Sequence, residues 1–267
     1  EIAEEMKLPA SLASQFNCRG YYGTLSHNVK AQYDLYFGWF NGNPAHLDPL
    51  PPSELGAKYV EAIGGADKVL EVAKASYAKG EYRWVATLLD NLVFAEPENK
   101  EARQLLADTY TQLGYQAESG PWRNFYLTGA RDLFKKDVPY TSQLINDGVL
   151  AQMDMGTLLD YCAIQLNGKK AAGKEAVINI NFTDTKEKVM LMLNNEVLNH
   201  RLDSQDKKAD LTLEIAKMDF VKLFFGRTDL QTLLKTNKVR TTGNTKAMEV
   251  ICSAYEPADP NFKIVLP

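Results

Sequence analysis

The sequence contains few of the residues from which disulfide frameworks and zinc sites are built. Among its 267 residues there are three cysteines, which stand far apart as Cys18, Cys162 and Cys252. No CxxC pair is present, so neither a disulfide framework nor a cysteine-based zinc site is indicated. Three free thiols, buried or half-buried, are the simpler interpretation.

Histidine is equally scarce, and His27, His46 and His200 are scattered along the chain. A dinuclear zinc site of the HxHxDH type needs several imidazoles and a bridging carboxylate close together. The sequence also lacks a GxSxG motif, a P-loop and a GxGxxG motif after a strand. We therefore expect no metal, no other cofactor and no catalytic residue in this chain, and we interpret His46 and His200 as solvated loop or strand residues.

An excess of charge of one sign and long apolar runs are also missing. The 30 Lys and Arg nearly balance the 34 Asp and Glu, which gives no electrostatic case for nucleic-acid binding. No run approaches the ~18 apolar residues of a membrane span, so none is predicted. The first residues, 1–6, carry neither an initiating methionine nor a signal-peptide pattern, and we expect the chain to begin inside a longer precursor.

Residues 1 to about 135 have the periodicity of helices throughout. Ser26 is suited to cap a helix that runs to about Phe40. The sequence Asn-Gly-Asn-Pro at 41–44 should end this helix, since Gly and Pro both oppose continuation. A further helix is predicted from an N-cap at Ser53 to the Gly-Gly pair at 64–65.

A repeat follows within this helical half. The distance from Gly80 to Gly114 is 34 residues, which is the tetratricopeptide period. We attribute to Gly80, Ala86, Ala102 and Gly114 the role of letting helices pack closely, and to Pro97 the break between hairpins. About one and a half repeats are visible, so residues 1–137 are predicted to form an all-α bundle of tetratricopeptide-like helical hairpins.

The pattern changes in the second half, and residues 138–267 are predicted to form a separate α+β domain. Helices are expected at 153–166, 218–225 and 229–234. Alternation of apolar and polar residues predicts strands, the second and third joined by a tight turn at Asn194-Asn195. The expected fold is a mainly antiparallel sheet with helices on one side. The predicted strands are 178–182, 189–193, 197–202, 210–215, 239–242 and 248–253.

The densest polar and aromatic cluster is the segment 19–28. A functional interpretation places Arg19, Tyr21, Tyr22 and His27 at the wall of a binding site, where they offer an anion contact and phenol hydrogen bonds. A structural interpretation is a glycine-flanked helix entry in which the tyrosines pack. Other large aromatics at helical spacing, such as those at 39–40 and 122–126, are interpreted as core or subunit interface.

A second candidate site lies in the α+β half. Its apolar residues could enclose a flexible alkyl chain, and methionine adapts well to irregular apolar ligands. A filled core explains the same residues, and the sequence does not separate the two. The residues proposed to contact such a ligand are Met190, Met192, Phe220 and Phe224, with Leu191, Leu193, Leu223 and Phe225 around them.

Several of these runs resemble a known family. The run from Arg19 to Ala31, continued at 38–45, closely resembles bacterial alkyl/aryl sulfatases of the metallo-β-lactamase superfamily. The segments 82–86, 113–117 and 122–127 resemble the same family, so the resemblance extends along the whole chain.

The resemblance implies a three-part enzyme: a zinc hydrolase domain, a helical dimerisation domain and a C-terminal domain similar to sterol carrier proteins. Such enzymes hydrolyse alkyl sulfate esters, such as dodecyl sulfate, to the alcohol and sulfate. The zinc domain is missing from this sequence, so two zinc ions are expected in an upstream domain of the same precursor. This chain would be the non-catalytic portion, inactive alone, forming a homodimer through its helices and contacting the alkyl sulfate or its chain. A periplasmic or secreted location is expected.

Two alternatives remain open from the residues themselves. The chain could be a free-standing carrier of lipids or alkyl chains, which would require a hollow core in the α+β half. It could also be an interaction module that binds partners through its helical repeat.

Overall fold

The computed structural model describes residues 1–134, 146–257, 259 and 261–267. The chain divides into two compact units, one formed by 1–138 with 261–267 and the other by 139–260. The return of 261–267 to the first unit was not anticipated by the predicted division into 1–137 and 138–267. The predicted boundary itself, at 137/138, lies outside the described residues.

The first unit is helical, as the sequence predicts. Two short 3-10 turns, Phe16–Cys18 and Pro44–His46, interrupt its N-terminal part. The helices are α1 Ile2–Glu5, α2 Ala10–Ala13, α3 Leu25–Phe37, α4 Pro52–Ile63, α5 Ala66–Ala78, α6 Tyr82–Ala95, α7 Lys100–Gln116 and α8 Gly120–Asp132.

Helices α4 to α8 form the body of this unit. α4 packs on α6, α6 on α7, and α7 on α8, so that each helix covers the apolar stripe of a neighbour. α6 supplies the largest share of the core, with Val85, Leu89 and Leu92 fully buried, and α7 adds Leu106. Asn99 begins α7 by accepting a hydrogen bond from the backbone N–H of Ala102.

The glycines of the repeat have different roles, which corrects one part of the prediction. Gly114 is packed against α8, where a β-carbon would stand 2.9 Å from a methyl carbon of Leu127. Gly80 has a φ of +78° and nothing within 4 Å of a built β-carbon. It therefore ends α5 by adopting a left-handed conformation, and does not bring helices together.

Residues 1–55 contain no buried side chain. The prediction placed the cap of α3 at Ser26 and its end near Phe40. The cap is Thr24, whose hydroxyl accepts from the backbone N–H of His27, and the helix ends at Gly38 with a φ of +73°. Thr24 lies one residue before the helix, where its hydroxyl reaches the third N–H, whereas Ser26 is already inside the first turn.

In the part of the chain that the structure describes, no helix combines the length and apolar character needed to cross a membrane.

The described residues of the second unit form a five-stranded sheet and six helices, so the predicted order of a helical part followed by an α+β part is confirmed. The strands lie in the order β3-β2-β1-β4-β5. Its elements are α9 Asp147–Gln152, α10 Met155–Ile164, α11 Gly168–Ala171, β1 Ala176–Phe182, β2 Lys188–Asn194, β3 Val197–Leu202, β4 Leu211–Ile215, α12 Lys217–Phe224, α13 Leu230–Lys235, β5 Val239–Gly243 and α14 Lys246–Ser253.

The sheet is mixed, since β1 pairs antiparallel with β2 but parallel with β4. The hairpin turn between β2 and β3 falls at Asn195 and Glu196, both with positive φ, one residue later than predicted. After β3 the chain returns past β2 to the far side of β1, which makes β4 parallel to β1.

The segment 248–253, predicted as a strand, is the helix α14. Its valine, isoleucine and cysteine favour extended structure locally. The buried positions Ala247, Met248, Ile251 and Ala254 follow helical spacing, however, and pack into the core of the second unit. Burial of this stripe outweighs the local preference, as tertiary contacts commonly do.

Candidate functional site

The segment 19–27 is tied to the corner between α7 and α8. The backbone N–H of Gly120 donates to the carbonyl oxygen of Tyr21 at 2.8 Å. The hydroxyl of Ser119, which is buried, donates to the carbonyl oxygen of Tyr22 at 2.5 Å. These long-range bonds fix the backbone of the segment, which has no helix or strand of its own before α3.

Arg19 is engaged within this corner. Its Nε donates to a carboxylate oxygen of Glu118 at 2.7 Å, and a second guanidinium nitrogen contacts the same carboxylate. The guanidinium also lies 5.1 Å from the centre of the Tyr21 ring. Both charged side chains are about half exposed, so the pair contributes little to stability, of the order of 0.5 kcal/mol. Its effect is to neutralise Arg19, which weakens the predicted role of this residue as an anion contact.

His27 lies in the first turn of α3 and contacts α8. The indole Nε1–H of Trp122 donates to Nδ1 of His27 at 2.9 Å, and the two rings meet edge to face with centroids 6.0 Å apart. Tyr22, by contrast, is 83% exposed. The structure thus brings Arg19, Tyr21 and His27 into one corner and leaves the side chain of Tyr22 free at its surface.

A surface pocket opens beside His27, and we call it the His27 pocket. It has a volume of about 360 Å³ and adjoins a larger cleft of about 590 Å³ that also includes Lys30 and Trp122. The ammonium of Lys30 lies 5.4 Å from the centre of the Trp122 ring. The His27 pocket is lined by His27, Lys30, Trp122, Phe125 and Tyr126.

Sequence reasoning did not identify Lys30 or Trp122 as part of this site. Lys30 follows His27 by three residues on α3, and residues at that spacing share a helix face, so a signal for Lys30 was present. Trp122 was interpreted only as a core or interface aromatic. Its link to His27 spans 95 residues, and no periodicity or spacing rule detects such a contact.

The second candidate site does not come together as predicted. Phe220 and Phe224 are fully buried in the core on the helix side of the sheet, with ring centroids 6.1 Å apart. Met190 and Met192 alternate on β2 with the core residues Leu191 and Leu193, and so they lie on the other face of the sheet. A single cavity within the core therefore cannot be lined by all four residues.

The residues that the structure describes do not fit a zinc site. In 1–134, 146–257, 259 and 261–267, no group of three His, Cys, Asp or Glu side chains is placed to hold a metal ion. His46 is exposed and shares a hydrogen bond of 2.8 Å with the amide of Asn41. His200 is more enclosed than predicted, with 18% of its side chain exposed, and its Nδ1 lies 3.7 Å from Asp160.

The cysteines of the second unit, Cys162 and Cys252, are expected to be unreactive thiols. Cys18, Cys162 and Cys252 are free thiols. Burial raises the pKa of both Cys162 and Cys252 to about 12, and each receives a smaller upward contribution from a neighbouring charge. A thiol held protonated at neutral pH is a poor nucleophile, so neither residue is a candidate for covalent catalysis.

Comparison with protein families gives two matches that together span nearly the whole chain. Residues 1–136 match the model described as alkyl sulfatase dimerisation. Residues 143–267 match the model described as alkyl sulfatase C-terminal.

Individual relatives agree with these matches. The chain is 45% identical over 269 residues to a linear primary-alkylsulfatase from Pseudomonas sp.. It is 41% identical over 274 residues to an (R)-specific secondary-alkylsulfatase from Pseudomonas sp.. In both comparisons the match includes 100% of this chain and 40% of the relative. The solved structure of a stereoselective inverting sec-alkylsulfatase from Pseudomonas sp. matches with a TM-score of 0.93 and 40% identity, over 100% of this chain and 42% of that one. The chain thus spans about two fifths of the length of the relatives it matches.

Proposed function

Because the chain belongs to the alkyl sulfatase family, we propose that it is the dimerising and C-terminal portion of an enzyme that hydrolyses alkyl sulfate esters to an alcohol and sulfate. The main support for this proposal is that both halves of the chain match the family. The match over residues 1–136 is to its dimerisation domain, and the match over 143–267 is to its C-terminal domain. In this proposal the chemistry takes place on a zinc hydrolase domain of the same precursor, upstream of residue 1, that binds two zinc ions.

The test of this division of labour is direct. Sulfate release from dodecyl sulfate is measured with the 267-residue chain alone, with zinc added, and with a longer polypeptide that includes an upstream hydrolase domain. We expect turnover only from the longer polypeptide, since the described residues of this chain include no group able to hold a metal ion. Zinc-dependent turnover by the chain alone would overturn the proposal.

A homodimer formed through the helical unit is the second element of the proposal. Residues 1–55 have no buried side chain, and yet they carry large apolar groups such as Tyr36, Phe37 and Trp39, which are 68–78% exposed. Exposed apolar surface of this extent is typical of an interface. Sedimentation equilibrium should show a dimer, and the double substitution Tyr36→Ser and Phe37→Ser should weaken it. Tyr115→Ser, at a 69% exposed residue of α7, serves as the control, and a monomeric wild-type chain would contradict the proposal.

We assign to the corner around segment 19–27 a wall of the substrate site. Support comes from the fixed backbone of this segment and from the adjacent His27 pocket, in which a cation and aromatic rings lie side by side. An alkyl sulfate has an anionic head and an apolar tail, which matches that combination. Arg19 is neutralised by Glu118, so His27 and the phenol of Tyr22 are the better candidates for substrate contacts within the predicted set.

Export to the periplasm or the medium belongs to the same proposal, because a surfactant ester is met outside the cell. Fractionation of cells that produce the native precursor would locate it. Recovery of the mature protein in the cytoplasmic fraction alone would exclude export.

A further inference from the structure

The contact between Trp122 and His27 fixes the protonation pattern of the imidazole. An indole N–H donates and cannot accept, so Nδ1 of His27 must carry a lone pair to receive it. The neutral ring therefore holds its proton on Nε2. Within the residues that the structure describes, that Nε2 makes no hydrogen bond, and it remains available as a donor beside the pocket.

Trp122 is itself held by its surroundings. It lies in the first turn of α8, where its backbone N–H donates to the hydroxyl of the N-cap Ser119 at 3.3 Å. The same hydroxyl donates to the carbonyl oxygen of Tyr22, so the cap and segment 19–27 share one fixed group. The indole edge meets His27 while the indole face meets the ammonium of Lys30.

The indole ring of Trp122 thus contacts both His27 and Lys30 and places them side by side. They are three residues apart on α3, so their side chains leave the helix on the same face. Both also line the His27 pocket, together with the rings of Phe125 and Tyr126. A neutral N–H donor and a cation at the rim of an aromatic pocket form a complementary site for an anion that carries an apolar chain.

We propose that Trp122 is a positioning residue, which holds His27 as its Nε2–H tautomer and Lys30 over the indole face so that both donate to one anionic head group in the His27 pocket. The part of this inference that concerns the ligand rests on the proposed function. The part that concerns the tautomer does not, and the two are tested separately.

The tautomer is measured by two-dimensional ¹H–¹⁵N spectroscopy of histidine-labelled protein, using the full chain. In the wild type we expect unprotonated Nδ1 and protonated Nε2 at His27. Trp122→Phe keeps an aromatic ring and removes the donor, so the ratio of the two tautomers should fall by a factor of about five, the effect of one ordinary hydrogen bond. Trp84→Phe removes a half-exposed tryptophan that lies on α6 and should leave the ratio unchanged. An unchanged ratio in Trp122→Phe overturns the positioning role.

A second measurement needs no variant and remains decisive if Trp122→Phe does not fold. In the wild type the resonance of the Trp122 indole N–H should move as His27 is titrated, since a proton on Nδ1 removes the acceptor. The indole N–H of Trp84 should not move with it. A Trp122 resonance that ignores the titration of His27 overturns the proposal.

The ligand part is tested with octyl sulfate as the probe and octanol as its uncharged control. When octyl sulfate is added to the wild-type chain, the side-chain resonances of His27 and Trp122 should shift. The substitutions Lys30→Met and Trp122→Phe should each weaken the binding of octyl sulfate severalfold. Equal binding of octyl sulfate by the wild type and both variants overturns the shared anion site. A further outcome is that octyl sulfate fails to bind although Trp122→Phe changes the tautomer ratio of His27 as expected. That result would contradict the assignment of segment 19–27 to the substrate site, and it would leave the positioning role of Trp122 supported.

Discussion

Gly56 on α4 lies so close to α6 that a β-carbon on it would stand 2.5 Å from the backbone oxygen of Asn91. The same β-carbon would lie 3.4 Å from the backbone nitrogen of Ala95. Both neighbours are backbone atoms, which cannot rotate away as the end of a side chain can. The absence of a side chain at residue 56 thus sets how near α4 can come to α6.

Gly56→Ala should therefore destabilise the helical unit, by about 1–3 kcal/mol, because the two helices must separate to admit the methyl group. This cost outweighs the gain in helix propensity that alanine brings. Urea unfolding monitored by circular dichroism measures the change in midpoint. Gly120→Ala is the matched control, since a β-carbon there meets only the oxygen of Tyr21 at 3.6 Å. Equal midpoints for the two variants would contradict the expectation.

Lys217 holds the end of α9. Its side chain is buried, and its ammonium donates to the carbonyl oxygen of Ala151 at 3.0 Å and also to that of Met153. Lys217→Met keeps the length of the chain but leaves these two carbonyls without the charged donor, which should cost about 1–3 kcal/mol of stability. Lys235→Met, at an exposed residue of α13, should change stability by less than about 0.5 kcal/mol. Thermal unfolding of both variants distinguishes the outcomes, and equal losses would remove the special role of Lys217.

Two N-cap aspartates make stability depend on acidic pH. Hydrogen bonds from the hydroxyl and backbone N–H of Thr157 lower the pKa of Asp154 below its usual 3.8, and Thr232 does the same for Asp229. A carboxyl with a lowered folded-state pKa stabilises the fold above its unfolded-state pKa and loses that contribution as pH falls through the folded-state value. The double variant Asp154→Asn and Asp229→Asn retains capping amides. We expect it to be less stable than the wild type at neutral pH, with the difference closing below about pH 3.8. A constant difference from pH 7 to pH 2 would contradict this cause.

Thiol labelling should separate the three cysteines. Burial holds the pKa of Cys162 and Cys252 at about 12, whereas Cys18 is partly exposed on a 3-10 turn. Iodoacetamide at pH 8 should label Cys18 alone in the native chain and all three residues in urea, as read by mass spectrometry. The variant Cys18→Ser should take up no label until it is unfolded. Rapid native labelling of Cys162 would show that the core of the second unit opens readily.

The fold class was predictable because it rests on repeated signals. The helical periodicity of α6 and α7, the alternation in β1 and the continuous apolar run of β2 each extend over many residues and agree with the packing. The family resemblance, which rested on runs such as 19–31, is confirmed by the two family models. The mainly antiparallel sheet is confirmed, with one parallel pair between β1 and β4. The prediction that failed was the strand at 248–253, which is a helix because its apolar stripe faces the core.

The candidate site was only partly predictable. The cluster of Arg19, Tyr21 and His27 is visible in the sequence because its members are neighbours. Their partners Glu118 and Trp122 come from a helix corner about a hundred residues later, and only the fold brings them together. Met190 and Phe220 look alike as apolar residues, and their separation onto two faces of a sheet follows from the register of β2.

The return of residues 261–267 to the first unit gives the chain an order of assembly during translation. Leu266 is buried in the core of the first unit, and Val265 packs beside it. Residues 261–267 follow the whole of 139–260 in the chain, so the core of the helical unit gains its last buried side chain only after the second unit has been synthesised. An affinity tag or a truncation at 261–267 would therefore disturb the helices of the first unit before it disturbed the sheet.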